Sequence, residues 1–171
     1  RQYNYLAAAN VLGNVREVNK RDVERDPYYQ AGDYTGDLGV EKSYEEYLRG
    51  DKGVEILMRD AYGRIQGRYE DGAYDMAPKS GRNLTLSLDI KLQQYAESLM
   101  VNKIGAVVAI EPKTGEILCM VSSPTYDPTL LVGRERGKNY QKLASPDNED
   151  HPLFDRALMG TYPPGATFKP G

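Results

Sequence analysis

The sequence is poor in the residues that build metal, redox and triad chemistry. Its 171 residues include one cysteine, one histidine and no tryptophan. A single cysteine, Cys119, excludes an internal disulfide and a cysteine-based metal site, and its apolar setting ILCMV predicts an inert buried thiol. One histidine, His151, argues against a histidine-based metal centre or a Ser-His-Asp triad. We therefore expect no cofactor and no metal.

A long apolar run and an excess of basic charge are also absent. No stretch of about 18 apolar residues occurs, so the sequence predicts no transmembrane helix, and no signal peptide is visible. The 22 basic and 25 acidic residues give a net charge of -3 with both signs interspersed, which argues against nucleic acid as a partner. The first residue is Arg1 rather than Met, which we interpret as a processed or cut N-terminus.

The region up to Arg82 predicts a loop-rich α+β module. Ser43 is a candidate cap for a short helix, and Gly50 is a candidate stop for it. Residues 53–72, GVEILMRDAYGRIQGRYEDG, alternate in polarity and are interrupted at Tyr62-Gly63. This pattern predicts two strands joined by a tight turn.

The second region predicts a strand, a helix and a hairpin. Residues 83–89, NLTLSLD, alternate strictly, which is typical of a half-buried strand. Asp89 is a candidate cap for a helix over 90–100. The apolar face predicted for this helix comprises Ile90, Leu92, Tyr95, Ala96, Leu99 and Met100. Residues 105–123 predict a hairpin that turns at 112–115, and its nearly continuous apolar strands predict burial on both faces.

The remaining residues before the C-terminus predict a long loop and a short helix. Residues 123–152 contain four prolines and scattered charge. They are expected to form a poorly ordered surface excursion of the kind that often acts as a lid or binding loop. Residues 153–160, LFDRALMG, show a short helical pattern.

The last residues, TYPPGATFKPG, contain the candidate catalytic tetrad Ala166-Thr167-Phe168-Lys169. In an S-x-x-K motif at a helix start, the serine and lysine share one face, and a neutral lysine can accept the serine proton. The methyl group of Ala166 cannot attack a carbonyl, so the tetrad alone indicates an ordinary helix start. Thr167 is a poor substitute because its spacing to Lys169 places the two side chains on different faces.

Six segments in a fixed order give this tetrad a context. They are AANVLGNV, GDLGVEKSYEEYLRGDKG, DAYGRIQG, NLTLSLDIKLQQYAE, GAVVAIEPKTGEILCMVSSPTYDP and RALMGTYPPGATFKP, and they cover nearly the whole chain. Together they resemble the class B penicillin-binding proteins, most closely the elongation-type members. The family pattern at the last segment is Y-P-P-G-S-T-x-K-P. The resemblance therefore places Ala166 at the nucleophilic serine and Lys169 at its general base.

The resemblance implies a two-part α+β fold. Residues 1–82 would be an N-terminally truncated pedestal, or dimerisation, domain. Residues 83–171 would be the start of a transpeptidase domain with an incomplete β-lactamase-like sheet, one helix and a hairpin, cut at the nucleophile helix. The family's companion motifs, S-x-N and K-T-G, would lie beyond Gly171. The K-T-G at 113–115 and the K-S-G at 79–81 precede the tetrad, and we interpret both as structural.

The function that the resemblance implies is that of a peptidoglycan D,D-transpeptidase. The intact protein would cross-link stem peptides through a serine acyl-enzyme and bind β-lactams. It would be anchored by an N-terminal helix outside this chain, at the periplasmic face of the bacterial inner membrane. Its pedestal would contact elongation-machinery membrane proteins and a glycosyltransferase, and a homodimer is left open.

Three interpretations of this chain itself compete. In the first interpretation it is a catalytically silent fragment, because the nucleophile and the downstream motifs are missing. Alternatively it is a natural pseudoenzyme scaffold for cell-wall assembly partners, which Ala166 fits equally well. Acidic pairs such as Glu45 with Glu46, or Asp71 with Asp75, could suggest a glycosidase, but their polar setting is typical of solvated surface.

Overall fold

The computed structural model of the protein describes residues 6–165 and confirms the predicted α+β class. The helices are α1 (Ala9–Leu12), α2 (Lys20–Arg25), α3 (Gly39–Ser43), α4 (Glu45–Leu48), α5 (Ile90–Leu99), α6 (Arg136–Leu143) and α7 (Arg156–Met159). The strands are β1 (Val15–Glu17), β2 (Tyr34–Gly36), β3 (Leu57–Arg59), β4 (Ile65–Arg68), β5 (Gly105–Ile110) and β6 (Ile117–Ser123). Consecutive strands pair antiparallel as β1–β2, β3–β4 and β5–β6. Short 3-10 turns span Tyr69–Gly72 and Pro128–Leu131.

The described residues divide into two compact units. The larger unit combines the described parts of Arg1–Ser43 and Leu86–Gly171, and the smaller unit is Tyr44–Thr85. The division follows packing rather than chain order, because residues before Ser43 share buried contacts with residues after Leu86. The domain boundary expected after Arg82 stays a prediction.

Two apolar clusters form the core of the larger unit. The first contains Ala9, Tyr126 and Leu131, with Tyr140, Leu143 and Leu153 packed around it. The second contains Ala96, Cys119 and Val121, with Leu92, Met100 and Ala109 packed around it. The first cluster joins the N-terminal segment to the residues after β6, and the second joins α5 to the β5–β6 hairpin. The buried thiol predicted at Cys119 is confirmed.

The predicted β5–β6 hairpin is present, but β6 is more deeply buried than β5. Gly115 adopts a φ of 78° in the turn, where a residue with a side chain would be strained. Cys119 and Val121 of β6 are buried, whereas Val107, Val108 and Ile110 of β5 are 36%, 43% and 54% exposed. The expectation that both faces are covered was therefore wrong for β5. A continuous apolar pattern does not reveal which neighbour covers which strand.

The predicted helix α5 and its cap are confirmed. The Asp89 carboxylate accepts hydrogen bonds from the backbone N–H groups of Lys91 (2.8 Å) and Leu92 (3.1 Å). Its buried face is narrower than predicted, because Tyr95 and Leu99 are 62% and 52% exposed. Gln93, which is 1% exposed, lies in the buried face instead.

Gln93 is buried because its amide pairs with the backbone of β6. Its Nε2 donates to the Met120 carbonyl (2.8 Å), and its Oε1 accepts from the Met120 N–H (2.9 Å). The amide thus satisfies both backbone groups of Met120, as a neighbouring strand would. A polar residue at this position could not be assigned to a core from its chemistry alone.

Residues 83–89, all of which the structure describes, do not form the predicted strand. The predicted alternation of burial is nevertheless present, since Leu84, Leu86 and Leu88 are half-buried. Ser87 Oγ donates to the Ile117 carbonyl (2.8 Å), and the Asp89 N–H donates to the Leu118 carbonyl (2.9 Å). One side-chain bond and one backbone bond hold residues 87–89 beside β6 without a continuous ladder.

Residues 123–152 are more ordered than predicted. They contain the Pro128–Leu131 turn and α6, and Leu131 is only 1% exposed. Leu131 and Tyr126 pack against Ala9, more than a hundred residues earlier in the chain. A partner so distant in sequence leaves no local periodicity to detect, so the expectation of poor order was wrong.

The smaller unit is an extended ribbon of paired backbone. The predicted β3–β4 hairpin is confirmed, with Gly63 at a φ of 78° in its turn. Isolated antiparallel bridges, Asp51 with Lys79 and Val54 with Met76, lengthen the pairing.

The short helix predicted at the start of this unit is α4, but its cap was predicted wrongly. Ser43 is the last residue of α3, and the residue at the cap of α4 is Tyr44, which makes no side-chain capping bond. The stop was predicted correctly, since Gly50 follows the helix end at a φ of 71°.

Candidate active site

The predicted nucleophile and base positions, Ala166 and Lys169, lie outside the described residues. The structure does describe the chain that leads to them, through α7 and residues 160–165. The helical pattern predicted over 153–160 is confirmed by α7, which spans Arg156–Met159. Asp155 Oδ1 caps it by accepting from the N–H groups of Ala157 (2.9 Å) and Leu158 (3.3 Å).

The chain changes direction after α7. The Gly160 N–H donates to the Arg156 carbonyl (3.2 Å), and a Cβ at Gly160 would lie 2.5 Å from that oxygen. A residue with a side chain would therefore force the turn to move. Residues 161–165 are exposed, and Pro163 and Pro164 restrict their backbone freedom. The approach to position 166 is thus a stiff, exposed segment.

Ala8 and Asn10 of the N-terminal segment form hydrogen bonds with α5 and with the chain between β6 and α7. Glu97 Oε1 accepts hydrogen bonds from the Ala8 N–H (2.7 Å) and from Gln93 Nε2 (2.8 Å). Asn10 Nδ2 donates to the Pro152 carbonyl (3.0 Å), and Asn10 Oδ1 accepts from Thr125 Oγ1 (2.9 Å). The residues before β1 therefore bond to α5 and to the chain that follows β6 and precedes α7.

A network of ion pairs also connects the N-terminal segment to α6. Arg16 pairs with both carboxylate oxygens of Asp22 (2.5 and 3.0 Å) and, through Nε, with Asp37 (3.1 Å). Asp37 also pairs with Arg136 (3.0 Å), whose Nε donates to the Val15 carbonyl (2.7 Å). Sequence reasoning did not find this network, because Arg136 and Asp37 are separated by 99 positions.

The charges of this network shift the pKa of two of its members. Hydrogen bonds from the Arg16 guanidinium, followed by the Asn19 N–H, lower the pKa of Asp22 to about 2. The same hydrogen bond to Asp22 raises the pKa of Arg16. Both shifts favour the charged pair, as expected for a bidentate arginine–carboxylate contact.

The competing motifs occupy structural positions. The K-T-G lies in the β5–β6 turn, where Thr114 Oγ1 donates to Glu116 Oε2 (2.9 Å). In the K-S-G, the backbone N–H and carbonyl of Lys79 pair with those of Asp51 (both 2.9 Å). Of the acidic pair at 71 and 75, Asp75 accepts from the Ile56 N–H (2.9 Å), so it serves the ribbon backbone.

Between residues 6 and 165 the structure has neither a metal-binding cluster nor a membrane-spanning helix. This part of the chain holds no group of three or more histidine, cysteine or acidic residues arranged to bind a metal. None of its helices is long and apolar enough to cross a bilayer.

Family comparisons match most of the chain. The model of the penicillin-binding protein dimerisation domain matches residues 1–86. The model of the penicillin-binding protein transpeptidase domain matches residues 105–171. The second match includes the β5–β6 hairpin, α7 and the tetrad.

Individual relatives are similar over nearly all of the chain. It is 42% identical to a peptidoglycan D,D-transpeptidase MrdA of Acinetobacter baumannii, over 95% of this chain and 24% of the relative. It is 38% identical to the Escherichia coli MrdA, over 99% of this chain and 27% of the relative. The chain thus spans about a quarter of the length of these relatives.

Solved structures of PBP2 proteins are similar to this chain over most of its length. A Pseudomonas aeruginosa PBP2, in complex with WCK 5153, superposes with a TM-score of 0.72 and 34% identity, covering 94% of this chain and 31% of that one. A Helicobacter pylori PBP2, solved as a complex with MreC, gives a TM-score of 0.74 and 31% identity, covering 90% and 28%.

Proposed function

Because the chain belongs to the penicillin-binding proteins, we propose that it carries the pedestal and the opening elements of a peptidoglycan D,D-transpeptidase. The observation that supports this most directly is the order of parts before position 166: a hairpin, then the capped α7, then Y-P-P-G-x-x-x-K. The proposed pedestal is 1–82 and the proposed transpeptidase part is 83–171. The proposed location is the periplasmic face of the inner membrane.

The proposed chemistry is acyl transfer through a serine at position 166. Its oxygen would attack the stem-peptide carbonyl, and Lys169, if neutral, would take the hydroxyl proton. An ester to the serine would form as the attacked peptide bond breaks, and the proton would pass to the departing amine. β-Lactams would acylate the same oxygen. With alanine at position 166 there is no oxygen to attack, so we propose that this chain is catalytically silent and serves as an interaction module.

A fluorescent penicillin tests this proposal. The chain with Ala166 is expected to show no covalent label on a denaturing gel. Ala166→Ser, in a polypeptide extended to the length of the relatives, is expected to be labelled, and Ala166→Ser with Lys169→Ala is expected to lose most of that label. Labelling of the Ala166 chain that disappears with Thr167→Ala would contradict silence and identify Thr167 as the nucleophile.

We further propose that the pedestal binds membrane proteins of the elongation machinery and a peptidoglycan glycosyltransferase. The Helicobacter pylori relative, solved with MreC, supports a protein partner of this kind. Exposed apolar side chains of the smaller unit, among them Val54, Ile56 and Met58, supply a surface for such contacts. Met58→Lys is expected to weaken binding of a purified MreC at least tenfold, and unchanged binding would argue against this surface.

A pseudoenzyme scaffold is the second candidate, and the alanine at position 166 is compatible with it as well. The two functions differ in what Ala166→Ser restores. If the extended polypeptide that carries Ala166→Ser is not acylated, the scaffold explains the chain better. If acylation appears, the rest of the acyl-transfer machinery is intact and the transpeptidase is favoured.

A further inference from the structure

Arg156 is a buried arginine whose guanidinium holds backbone rather than a carboxylate. It is 8% exposed, and its Nη2 donates to the Asp150 carbonyl (2.7 Å) and its Nη1 to the His151 carbonyl (3.3 Å). Its guanidinium also lies 5.8 Å from the centre of the Phe154 ring. Among residues 6–165 no carboxylate lies within ion-pair distance of Arg156. A buried charge that is satisfied by carbonyls of one short stretch fixes the shape of that stretch.

The stretch that Arg156 holds has an unfavourable backbone. His151 adopts a φ of 42°, a left-handed conformation that is costly for a residue with a Cβ. Such a conformation persists where surrounding contacts impose it. The hydrogen bond from Arg156 to the His151 carbonyl is one such contact.

Ser122 connects the turn at 150–155 to β6. Its Oγ accepts from the Arg156 N–H (2.9 Å) and donates to the Phe154 carbonyl (3.1 Å). One buried hydroxyl thus bonds backbone groups on both sides of Asp155, the residue that caps α7. Ser122 is itself fixed, because it belongs to β6 and pairs with Ala106 of β5.

The position of this turn determines where the following chain begins. α7 has only four residues and ends at Met159. Beyond it the backbone turns at Gly160 and continues through the exposed residues 161–165, where Pro163 and Pro164 limit rotation. A short helix and a stiff segment transmit a displacement at their base instead of absorbing it.

We propose that Arg156 and Ser122 are positioning residues that fix the departure of residues 160–165 from the fold and, through it, the placement of position 166. This proposal rests on the proposed transpeptidase function for its catalytic consequence. Neither residue touches the reacting atoms. Each acts through the turn at 150–155, and misplacing a reacting group by about 1 Å can lower a rate by about a hundredfold.

The first test measures a distance within the 171-residue chain and needs no catalysis. Nitroxide labels on Lys113→Cys and Tyr162→Cys report the distance between the β5–β6 turn and the departing segment, and the native Cys119 is buried. Arg156→Gln and Ser122→Ala are each expected to at least double the width of the distance distribution in electron–electron double resonance. Ser122→Thr keeps the hydroxyl and is expected to restore the narrow distribution, and Arg156→Lys is expected to give an intermediate width.

Matched controls separate positioning from a general loss of stability. Arg134→Gln and Ser98→Ala alter an exposed arginine and an exposed serine, and both are expected to leave the width unchanged. Ser122→Ala with an unchanged width but a lower unfolding midpoint would show a purely structural role and overturn the proposal. So would broadening that the two controls produce equally.

The second test measures acylation in the extended polypeptide that carries Ala166→Ser. Adding Arg156→Gln or Ser122→Ala is expected to lower the acylation rate by a fluorescent penicillin at least tenfold, and Ser122→Thr is expected to restore it. If Ala166→Ser is acylated and both variants react at the parent rate, positioning is overturned. If Ala166→Ser is not acylated at all, the proposed function fails, and the distance test alone decides whether the two residues hold the segment.

Discussion

The larger unit and the smaller unit are stabilised by different means. The larger unit buries two apolar clusters and several polar side chains, among them Asn14, Gln93 and Arg156. In the smaller unit none of the residues Tyr44–Thr85, all of which the structure describes, is buried. Its order comes from paired backbone, tight turns and exposed ion pairs, such as Arg68 with Glu55 (2.8 Å).

This difference shows what each unit can tolerate. Burial of apolar area contributes most of the free energy of folding, and exposed ion pairs contribute about 0–1 kcal/mol each. A two-stranded ribbon without a core is at best marginally stable alone. Substitutions of buried side chains in the larger unit should therefore change stability strongly, whereas substitutions in the smaller unit should act locally.

Removing a core side chain should give the largest difference between the units. Leu131 is 1% exposed, and Leu131→Ala is expected to lower the free energy of unfolding by about 2–5 kcal/mol through lost burial and a cavity. Ile65 of the smaller unit is 58% exposed, and Ile65→Ala is expected to cost less than about 1 kcal/mol. Urea unfolding followed by circular dichroism measures both, and equal costs would contradict the comparison.

Removing the Gln93 amide should have the next largest effect. Gln93→Ala leaves the N–H and carbonyl of Met120 without their partner, at an expected cost of about 1–3 kcal/mol. The neighbouring Gln94 is exposed, so Gln94→Ala is the matched control and should be nearly neutral. Amide hydrogen exchange at Met120 should rise in the first variant alone. Unchanged protection there would show that Gln93 does not serve as the partner of β6.

Acid should weaken the larger unit through Asp22. Its pKa is about 2 in the folded chain, below the ordinary carboxyl value, so its contribution is complete above about pH 4 and is lost as pH falls toward 2. The pair is partly exposed, so we expect a loss of about 1–2 kcal/mol. Urea midpoints between about pH 5 and 2 measure it. Asp22→Asn should flatten that dependence and Glu24→Gln should not; the reverse pattern would assign the acid response elsewhere.

The sequence predicted most caps and turns of both units, although not the cap of α4, and missed the distant contacts of the larger unit. Asp89, Gly63 and Gly115 act within a few residues of themselves, so caps and turns could be recognised from short patterns. The order of 123–152 depends on Ala9, and the burial of Gln93 depends on Met120. Arginine is usually exposed, so nothing marked Arg156 as buried.

The candidate site was predicted by a different route. Position 166 and Lys169 came from resemblance to a family pattern, because an alanine three residues before a lysine has no chemical signal of its own. That assignment stays a prediction, since both residues lie outside the described part of the chain. The structure adds the supports of the approach, Ser122, Asp155 and Arg156, which the motif does not contain.

The smallest effect is expected at the turn of the smaller unit. Asp60 Oδ1 accepts from the N–H groups of Arg64 and Tyr62 (both 2.9 Å). The backbone bond from Arg64 lowers the pKa of Asp60 most, and bonds from the Arg64 side chain, the Tyr62 N–H and the Gln66 side chain lower it further. The charged carboxylate therefore supports the β3–β4 turn above the ordinary carboxyl pKa, and protonation at lower pH should remove that support. Amide exchange at Arg64 should rise in Asp60→Ala and at low pH, while exchange at Met120 in the larger unit stays unchanged. Asp60→Asn retains an acceptor oxygen and should preserve part of the protection. If Asp60→Ala raises exchange at Met120 as well, the turn supports more than its own ribbon, and the smaller unit does not respond as locally as its lack of a core implies.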